Sequence, residues 1–168
     1  SAEGFGLTHM ESLMAGTPTI ATVVGGLQDQ MGFKVDGREF KVEDLTAEIP
    51  SNSTGKISKE HGKWVYPLWP QLNLQGSPQT PYIYDSRPNI VDIQKGLKHW
   101  YDMGREERKL CGIEGREWAI ENGFTQKGMC DASKNAIDTC FKTFKPRERY
   151  ILIDTDIPEP THVRGELI

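Results

Sequence analysis

The first apolar residues of the chain fall three or four positions apart, which is the spacing of one face of an α-helix. These residues are Leu7, Met10, Leu13 and Met14. The pattern predicts a short helix over residues 7–15, with Gly16 as its stop and Pro18 preventing its continuation. The run that follows, residues 19–24, is β-branched and almost continuously apolar, which is typical of a buried parallel strand.

The order of these elements indicates an α/β fold. Gly25 and Gly26 end the strand with a tight turn, and residues 27–31 have the pattern of another short helix. Helix, strand, turn and helix in this order fit an open α/β sheet. In such sheets, ligands bind beyond the carboxyl ends of the strands.

The middle of the chain is less regular. Residues 32–62 are polar and weakly patterned, and the family resemblance given below implies that much of this stretch is an insertion. The same resemblance implies a short strand over residues 63–67. Residues 67–89 are rich in Pro, Gln, Ser and Gly, and they are predicted to form a second insertion, a long ordered loop.

Three further helices are predicted in the second half of the chain, one that ends at about Met103, one over residues 105–121 and one over about residues 126–144. Asn89 or Asp92 is expected to cap the first of them. Its predicted apolar face consists of Ile93, Leu97, Trp100 and Tyr101. The chain is therefore divided into one domain, residues 1–144, and a C-terminal tail, residues 145–168.

Composition narrows the classes of function. The chain has 168 residues, enough for one domain with a modest core, and its net charge of −4 indicates neither nucleic-acid binding nor a polybasic membrane patch. No apolar run approaches the ~20 residues that a membrane span needs. Cys111, Cys130 and Cys140 form neither a disulfide framework nor a metal motif, so they are interpreted as buried thiols in helices of a reduced, cytoplasmic protein.

The candidate chemistry lies at the start of the chain, where Glu3 and Glu11 stand eight positions apart. After Glu3 the chain continues with Gly4, Phe5, Gly6, Leu7 and Thr8. A glycine-rich helix start offers free N–H groups to an anion, and Glu11 is expected about two turns into the helix. The turn suits a phosphate and the carboxylates suit hydroxyls, which together indicate a sugar nucleotide.

This stretch resembles the E-x7-E motif of retaining glycosyltransferases of the GT-B fold, in particular the large family four. The run ESLMAGTPTIA, which starts at Glu11, is similar to the family's E-A-x-A-x-G-x-P-V-I-A, and Gly25-Gly26-Leu27 is similar to its G-G-L/I turn. The resemblance is strong over residues 1–31 and looser over residues 63–144. It implies the C-terminal, donor-binding half of a GT-B enzyme, with a Rossmann-like open parallel sheet and helices on both faces.

The resemblance also implies an activity, the retaining transfer of sugar from a UDP- or GDP-linked donor to a glycan or glycolipid acceptor, without a metal or cofactor. Glu3 is then the catalytic residue that binds hydroxyls of the donor hexose, and Glu11 binds the ribose. Backbone N–H groups of residues 4–8 hold the diphosphate. Gly25 and Gly26 either face the donor or simply end the strand.

The resemblance further implies that a basic pair and an acceptor domain precede Ser1, and any peripheral membrane contact is expected through that domain. Residues 1–168 alone are therefore expected to be marginally stable and inactive, with an uncovered apolar face on Ile20 and Val23. The aromatic side chains of the predicted 67–89 loop have two interpretations, which are binding of the acceptor glycan and attachment of the loop to the domain. They are Trp69, Tyr82 and Tyr84.

Two other functions stay open on the sequence, a GT-B epimerase-like enzyme and a non-catalytic subunit that binds sugar nucleotides. The triplet Asp154-Thr155-Asp156 has the form of the DxD metal motif of the other large glycosyltransferase fold, GT-A. Because the sheet that precedes DxD in that fold has no counterpart here, the triplet is interpreted as a turn in the tail, and no metal site is predicted.

Overall fold

The computed structural model describes residues 3–146, 151–153 and 162–164. The chain divides into two units, Ser1–Met129 and Cys130–Ile168. The division falls inside the last helix, whereas the sequence places the domain boundary after residue 144. The helix has no buried residue, so it contributes little to the core of the first unit.

The first unit starts as the sequence predicts. Helix α1, Leu7–Met14, ends just before Gly16, whose φ of 69° places it in the left-handed region that favours glycine. Strand β1, Thr19–Thr22, follows and pairs in parallel with β4, Val65–Leu68, with Thr19 opposite Val65. A 3-10 helix, Gly25–Gln30, stands where another short helix is predicted.

The polar stretch after the 3-10 helix has more structure than its pattern indicates. It forms a short antiparallel hairpin of β2, Lys34–Val35, and β3, Arg38–Glu39. Two 3-10 helices follow, Val42–Asp44 and Asn52–Thr54. Asn52 is fully buried, and its side-chain amide donates to the carbonyl oxygen of Ser58 at 2.8 Å. Polar side chains therefore hold this segment against the core.

The prediction of a long ordered loop over residues 67–89 is wrong. The segment forms an antiparallel hairpin of β5, Gln71–Ser77, and β6, Thr80–Arg87. Apolar and polar residues alternate along β5, and that period of two favours a strand, whereas in β6 the run Tyr82-Ile83-Tyr84 is β-branched and aromatic, a composition that also favours a strand. Turn-forming residues in the same stretch hide this pattern, because they belong to the tip of the hairpin and to an irregularity between Gln75 and Ser77.

Three helices complete the described chain, α2 Ile90–Asp102, α3 Arg105–Glu121 and α4 Gln126–Thr143, as predicted. The Asn89 side chain caps α2 by accepting a hydrogen bond from the N–H of Val91 at 2.8 Å. The predicted apolar face of α2 is partly wrong, because Leu97 and Tyr101 are exposed. Its buried residues are Gly96 and Trp100, and the Trp100 indole N–H donates to the carbonyl oxygen of Thr19 at 3.1 Å.

One cluster of buried side chains forms the core of the first unit, and Val23 belongs to it with no exposed surface. The expected uncovered apolar face is therefore wrong for Val23, and Ile20 is partly buried. The other members of the cluster are Met10, Leu13, Ala21, Met31, Phe33, Trp64, Val65 and Ala119. They come from α1, α3, the strand pair and the segments between.

The interpretation of all three cysteines as buried is also wrong. All three lie in helices, but only Cys111 in α3 is buried, while Cys130 and Cys140 in α4 are exposed. The second unit also contains an antiparallel pair, β7 Ile151–Ile153 and β8 His162–Arg164.

The fold is mixed α/β with a small parallel sheet and helices, which agrees with the predicted class at that level. Within the described residues, every sheet has two strands. Among the helices of the described chain, none has the length and apolar character needed to cross a bilayer.

Candidate functional site

The loop that carries Glu3 lies directly on the turn that carries Gly25 and Gly26. The backbone N–H of Gly26 donates to the Glu3 carbonyl oxygen at 3.0 Å. A Cβ atom at Gly25 would lie 2.0 Å from the Glu3 carbonyl oxygen, and one at Gly26 would lie 2.1 Å from that of Gly4. Only glycine allows this approach of two backbones, so the fold brings together two segments that the sequence singles out separately.

The Glu3 carboxylate turns back toward the start of α1. Its Oε1 atom accepts a hydrogen bond of 3.3 Å from the backbone N–H of Gly6. Gly6 has a φ of 85° and stands immediately before the helix, so it is the residue at which the loop changes direction. The carboxylate is therefore oriented by the same turn that begins the helix.

Glu3 lines a cavity of about 530 Å³ beyond the carboxyl end of β1. The opposite wall is the base of the β5–β6 hairpin. The lining residues are Glu3, Thr22, Val24, Leu27, Asp85, Ser86, Arg87 and Pro88. This is the end of the strand at which open α/β proteins bind their ligands. Arg87 brings a cation to the cavity, and its Nε atom lies 2.9 Å from Oδ2 of Asp85.

Gly4 differs from the other glycines of the site. It is exposed, its backbone lies outside the left-handed region, and no atom lies within 4 Å of the position that a Cβ would take. Packing within the chain therefore does not require glycine at this position. Phe5 is 43% exposed, and its ring centroid lies 6.1 Å from that of Phe124.

The remaining predicted residues stand on the surface of α1. Leu7, Thr8 and Glu11 are exposed, and they do not line the Glu3 cavity. Glu11 is the fifth residue of α1, so it lies a little over one turn from the helix start. The expected distance of about two turns is wrong, because α1 begins at Leu7 and four residues make little more than one turn.

Sequence reasoning missed a buried polar network behind the Glu3 loop. Nδ1 of His9 lies 2.9 Å from Oε1 of Gln30, whose side-chain amide donates to the Phe5 carbonyl oxygen. The indole N–H of Trp64 donates to the Gln30 carbonyl oxygen at 3.1 Å. His9 stands four residues before buried Leu13, and that spacing is the signal that could have placed it inside.

Burial favours the neutral form of His9. His9 is 5% exposed, and burial lowers its pKa from 6.5, although the hydrogen bond with Gln30 acts in the opposite direction. Its Nε2 atom is buried without a hydrogen-bond partner. Protonation of Nε2 would therefore bury an unpaired N–H, and the neutral ring with Nδ1–H donating to Gln30 fits the site.

A second cavity, of about 380 Å³, includes Asp29 of the Gly25–Gln30 3-10 helix, Glu39 and Trp118 in its lining. The Trp118 indole N–H donates to Oε1 of Glu39 at 2.8 Å, and burial raises the pKa of Asp29. None of residues 3–8 lines this cavity, so it is separate from the predicted site.

In the described part of the chain, no group of three His, Cys, Asp or Glu side chains is placed to hold a metal ion. Asp154 and Asp156 lie outside the described residues. Comparisons with protein-family models, curated proteins and solved structures gave no match for this chain.

Proposed function

We propose that this chain binds a sugar nucleotide in the Glu3 cavity and serves as the donor-binding part of a retaining glycosyltransferase. The observation that carries the proposal is the position of the Glu3 carboxylate. It lines a cavity beyond the end of a parallel strand, next to an exposed glycine and the start of α1. The sugar is proposed to bind in this cavity and the diphosphate against the neighbouring Gly4 loop.

The glycine loop and the helix start suit the diphosphate. The first N–H groups of a helix have no partner within the helix, and the helix dipole favours negative charge there. Gly4 has open space where a side chain would otherwise stand, so an anion can approach the backbone. Arg87 lines the same cavity on the opposite wall, where its charge is paired with that of Asp85.

The Glu3 carboxylate suits the hydroxyls of the donor sugar. One oxygen accepts the Gly6 N–H, which fixes the direction of the group. A carboxylate can accept about four hydrogen bonds, so capacity remains for two sugar hydroxyls. Such contacts fix the sugar ring relative to the leaving diphosphate, and correct orientation is a large part of catalysis in group transfer.

The other parts of the proposal rest on the resemblance of residues 1–31 to GT-B glycosyltransferases. The β1–β4 parallel pair is proposed as part of a Rossmann-like sheet, and the acceptor as a glycan or glycolipid. Glu11 is proposed to bind the ribose from the surface of α1. We propose a cytoplasmic location, where nucleotide-sugar donors of this type are available.

Calorimetric titration of the chain with UDP, GDP, UDP-glucose and GDP-mannose tests the proposal. One nucleotide and its sugar conjugate are expected to bind. Glu3→Ala should lower the affinity for the sugar nucleotide about 10- to 100-fold, because a hydrogen bond to a charged group contributes about 1.5–3 kcal/mol. The affinity for the free nucleotide should fall much less. Glu11→Ala should lower the affinity for the sugar nucleotide and for the free nucleotide by the same factor.

Glu117→Ala is the matched control, because Glu117 is an exposed carboxylate in the middle of α3. It should leave all affinities unchanged. If the unmodified chain binds none of the four compounds, or if Glu3→Ala and Glu117→Ala behave alike, the proposed donor site is wrong.

A further inference from the structure

The β5–β6 hairpin has one apolar face that the fold leaves exposed. The strand register places Leu74 opposite Tyr84, and side chains two positions apart on a strand share a face. This face, called the ribbon face below, therefore consists of Leu72, Leu74, Tyr82 and Tyr84. Each of the four is at least 60% exposed. Exposed apolar patches of this kind usually mark a binding surface.

The ribbon face ends beside the cavity of the proposed donor site, whose lining includes Ser86 on this face and Asp85 and Arg87 on the other. Ser86 lines that cavity together with Glu3, and Tyr84 stands two residues before Ser86 on the same face of the strand. Two residues along a strand correspond to about 7 Å. A molecule that leaves the Glu3 cavity along the hairpin therefore meets Tyr84 first and Tyr82 one step further.

The chemistry of the ribbon face suits a chain of sugars. The C–H groups on one side of a pyranose ring pack against an aromatic ring, while a tyrosine hydroxyl can exchange hydrogen bonds with sugar hydroxyls. Tyr82 and Tyr84 repeat at a spacing on the scale of one sugar unit. The other face of the hairpin is mixed, because it carries the polar side chains of Asn73 and Gln75 and the exposed Ile83.

Other occupants fit the ribbon face less well. A bilayer surface favours clusters of Lys and Arg, whereas Arg87 is the one cation in residues 71–87, and it is paired with Asp85. A stable protein interface uses about 20–30 residues on each side, many more than the four side chains of this face.

We propose that the ribbon face binds the acceptor glycan and directs its end toward the Glu3 cavity. This inference rests on the proposed function, because it takes the reacting end of the glycan to lie beside the donor. Trp69, the third aromatic residue of the predicted loop, has a different role. It packs against the core with its ring centroid 5.8 Å from that of Phe33.

The test uses the full chain on an array of immobilised glucose, mannose and galactose oligosaccharides of two to eight units. Binding to at least one series is expected, with affinity that rises with length. The double variant Tyr82→Ala/Tyr84→Ala should lose at least tenfold in affinity. Tyr84→Phe keeps the ring and should retain most of the binding.

Tyr101→Ala is the control variant, because Tyr101 is an exposed tyrosine on α2, outside the hairpin. It should bind the array like the unmodified chain. Thermal unfolding of all variants shows whether the fold is retained, and little change is expected at exposed positions.

Absence of binding to every oligosaccharide, or unchanged binding by the folded double variant, overturns the inference. Adsorption to phosphatidylcholine–phosphatidylglycerol vesicles that the double variant loses would overturn it in favour of a lipid surface. The nucleotide titration keeps the two proposals distinct. Glycan binding without nucleotide binding rejects the donor site, and with it the role of the glycan as acceptor, but keeps the ribbon face as a glycan-binding surface. Nucleotide binding without glycan binding rejects the ribbon face alone.

Discussion

Gly4 and Gly26 lie close together, but packing within the chain requires glycine only at position 26. Gly26 is required by packing, because its Cβ would stand 2.1 Å from the Gly4 carbonyl oxygen, which is backbone and cannot move aside easily. Gly4 has open space around it. If glycine at position 4 serves a ligand and glycine at position 26 serves the fold, substitutions at the two positions must have separate effects.

Gly26→Ala is expected to destabilise the chain by about 1–3 kcal/mol, the typical result of overpacking, which corresponds to a lower melting temperature by several degrees. Gly4→Ala should leave the melting temperature almost unchanged but weaken nucleotide binding, because the new methyl group blocks approach to the backbone. Calorimetry of unfolding and of binding measures both effects. Equal loss of stability in the two variants, with intact binding by Gly4→Ala, would mean that Gly4 is a structural residue.

Of the residues that line the Glu3 cavity, Glu3 alone could be singled out from the sequence, because its motif is contiguous. The contact of Glu3 and Gly4 with the Gly25–Gly26 turn could not, since it depends on how the intervening helix and strand fold back. The sequence also gives no sign that the hairpin base forms the second wall of the cavity. Asp85 and Arg87 are distant in sequence and look like ordinary surface charges.

The helices were the most predictable elements. Their periodic apolar residues and their caps are local signals, and the predicted bounds of α2, α3 and α4 agree with the structure to within about one residue. The β5–β6 hairpin was missed because Pro78, Gly76 and Pro81 outweighed a short alternation of Leu and Tyr. Local composition could not distinguish a loop from a hairpin whose strands have no further neighbour in the described sheet.

The network of His9 and Gln30 connects α1, the 3-10 helix and the Glu3 loop, and it makes their packing sensitive to pH. The folded chain has a His9 pKa below 6.5, so the unfolded chain binds the proton more readily. This contribution to stability is complete above about pH 6.5, and it is lost as the pH falls from there through the lower folded pKa. Melting temperatures at pH 7.5 and pH 5.5 should therefore differ, with the lower value at pH 5.5.

His9→Leu removes the titrating group and leaves Gln30 without its partner. It should lower the melting temperature at pH 7.5 but reduce the difference between the two pH values. His99→Gln is the control, because His99 is exposed on α2, and it should keep the difference. An unchanged difference in His9→Leu would show that another group causes the loss of stability.

The class of the whole molecule could be predicted, but the breadth of its sheet could not. The residues of a strand give a local signal that predicts the strand. The number of strands in its sheet depends on pairing between segments that are distant in the sequence. The division of the chain inside α4 has no local signal in the sequence. The sequence pattern of α4 is helical throughout, and only the fold shows that its residues are not buried.

The cysteines report separately on the two units. Cys111 is buried in the first unit, and burial, followed by the nearby Glu114 and Glu107 carboxylates, raises its pKa. A buried thiol with a raised pKa has little reactive thiolate. Cys130 and Cys140 belong to the second unit and are exposed. Titration with a chromogenic disulfide reagent at pH 8 is therefore expected to show two fast thiols and one slow thiol.

Addition of denaturant should make the slow thiol react, and the denaturant concentration required should match the unfolding of the first unit followed by tryptophan fluorescence. The variant Cys130→Ser/Cys140→Ser isolates this signal, because it removes the two exposed thiols and leaves the core unchanged. In that variant the single thiol should be slow in buffer and fast in denaturant. Fast reaction of Cys111 in buffer would mean that α3 does not pack against the core as described.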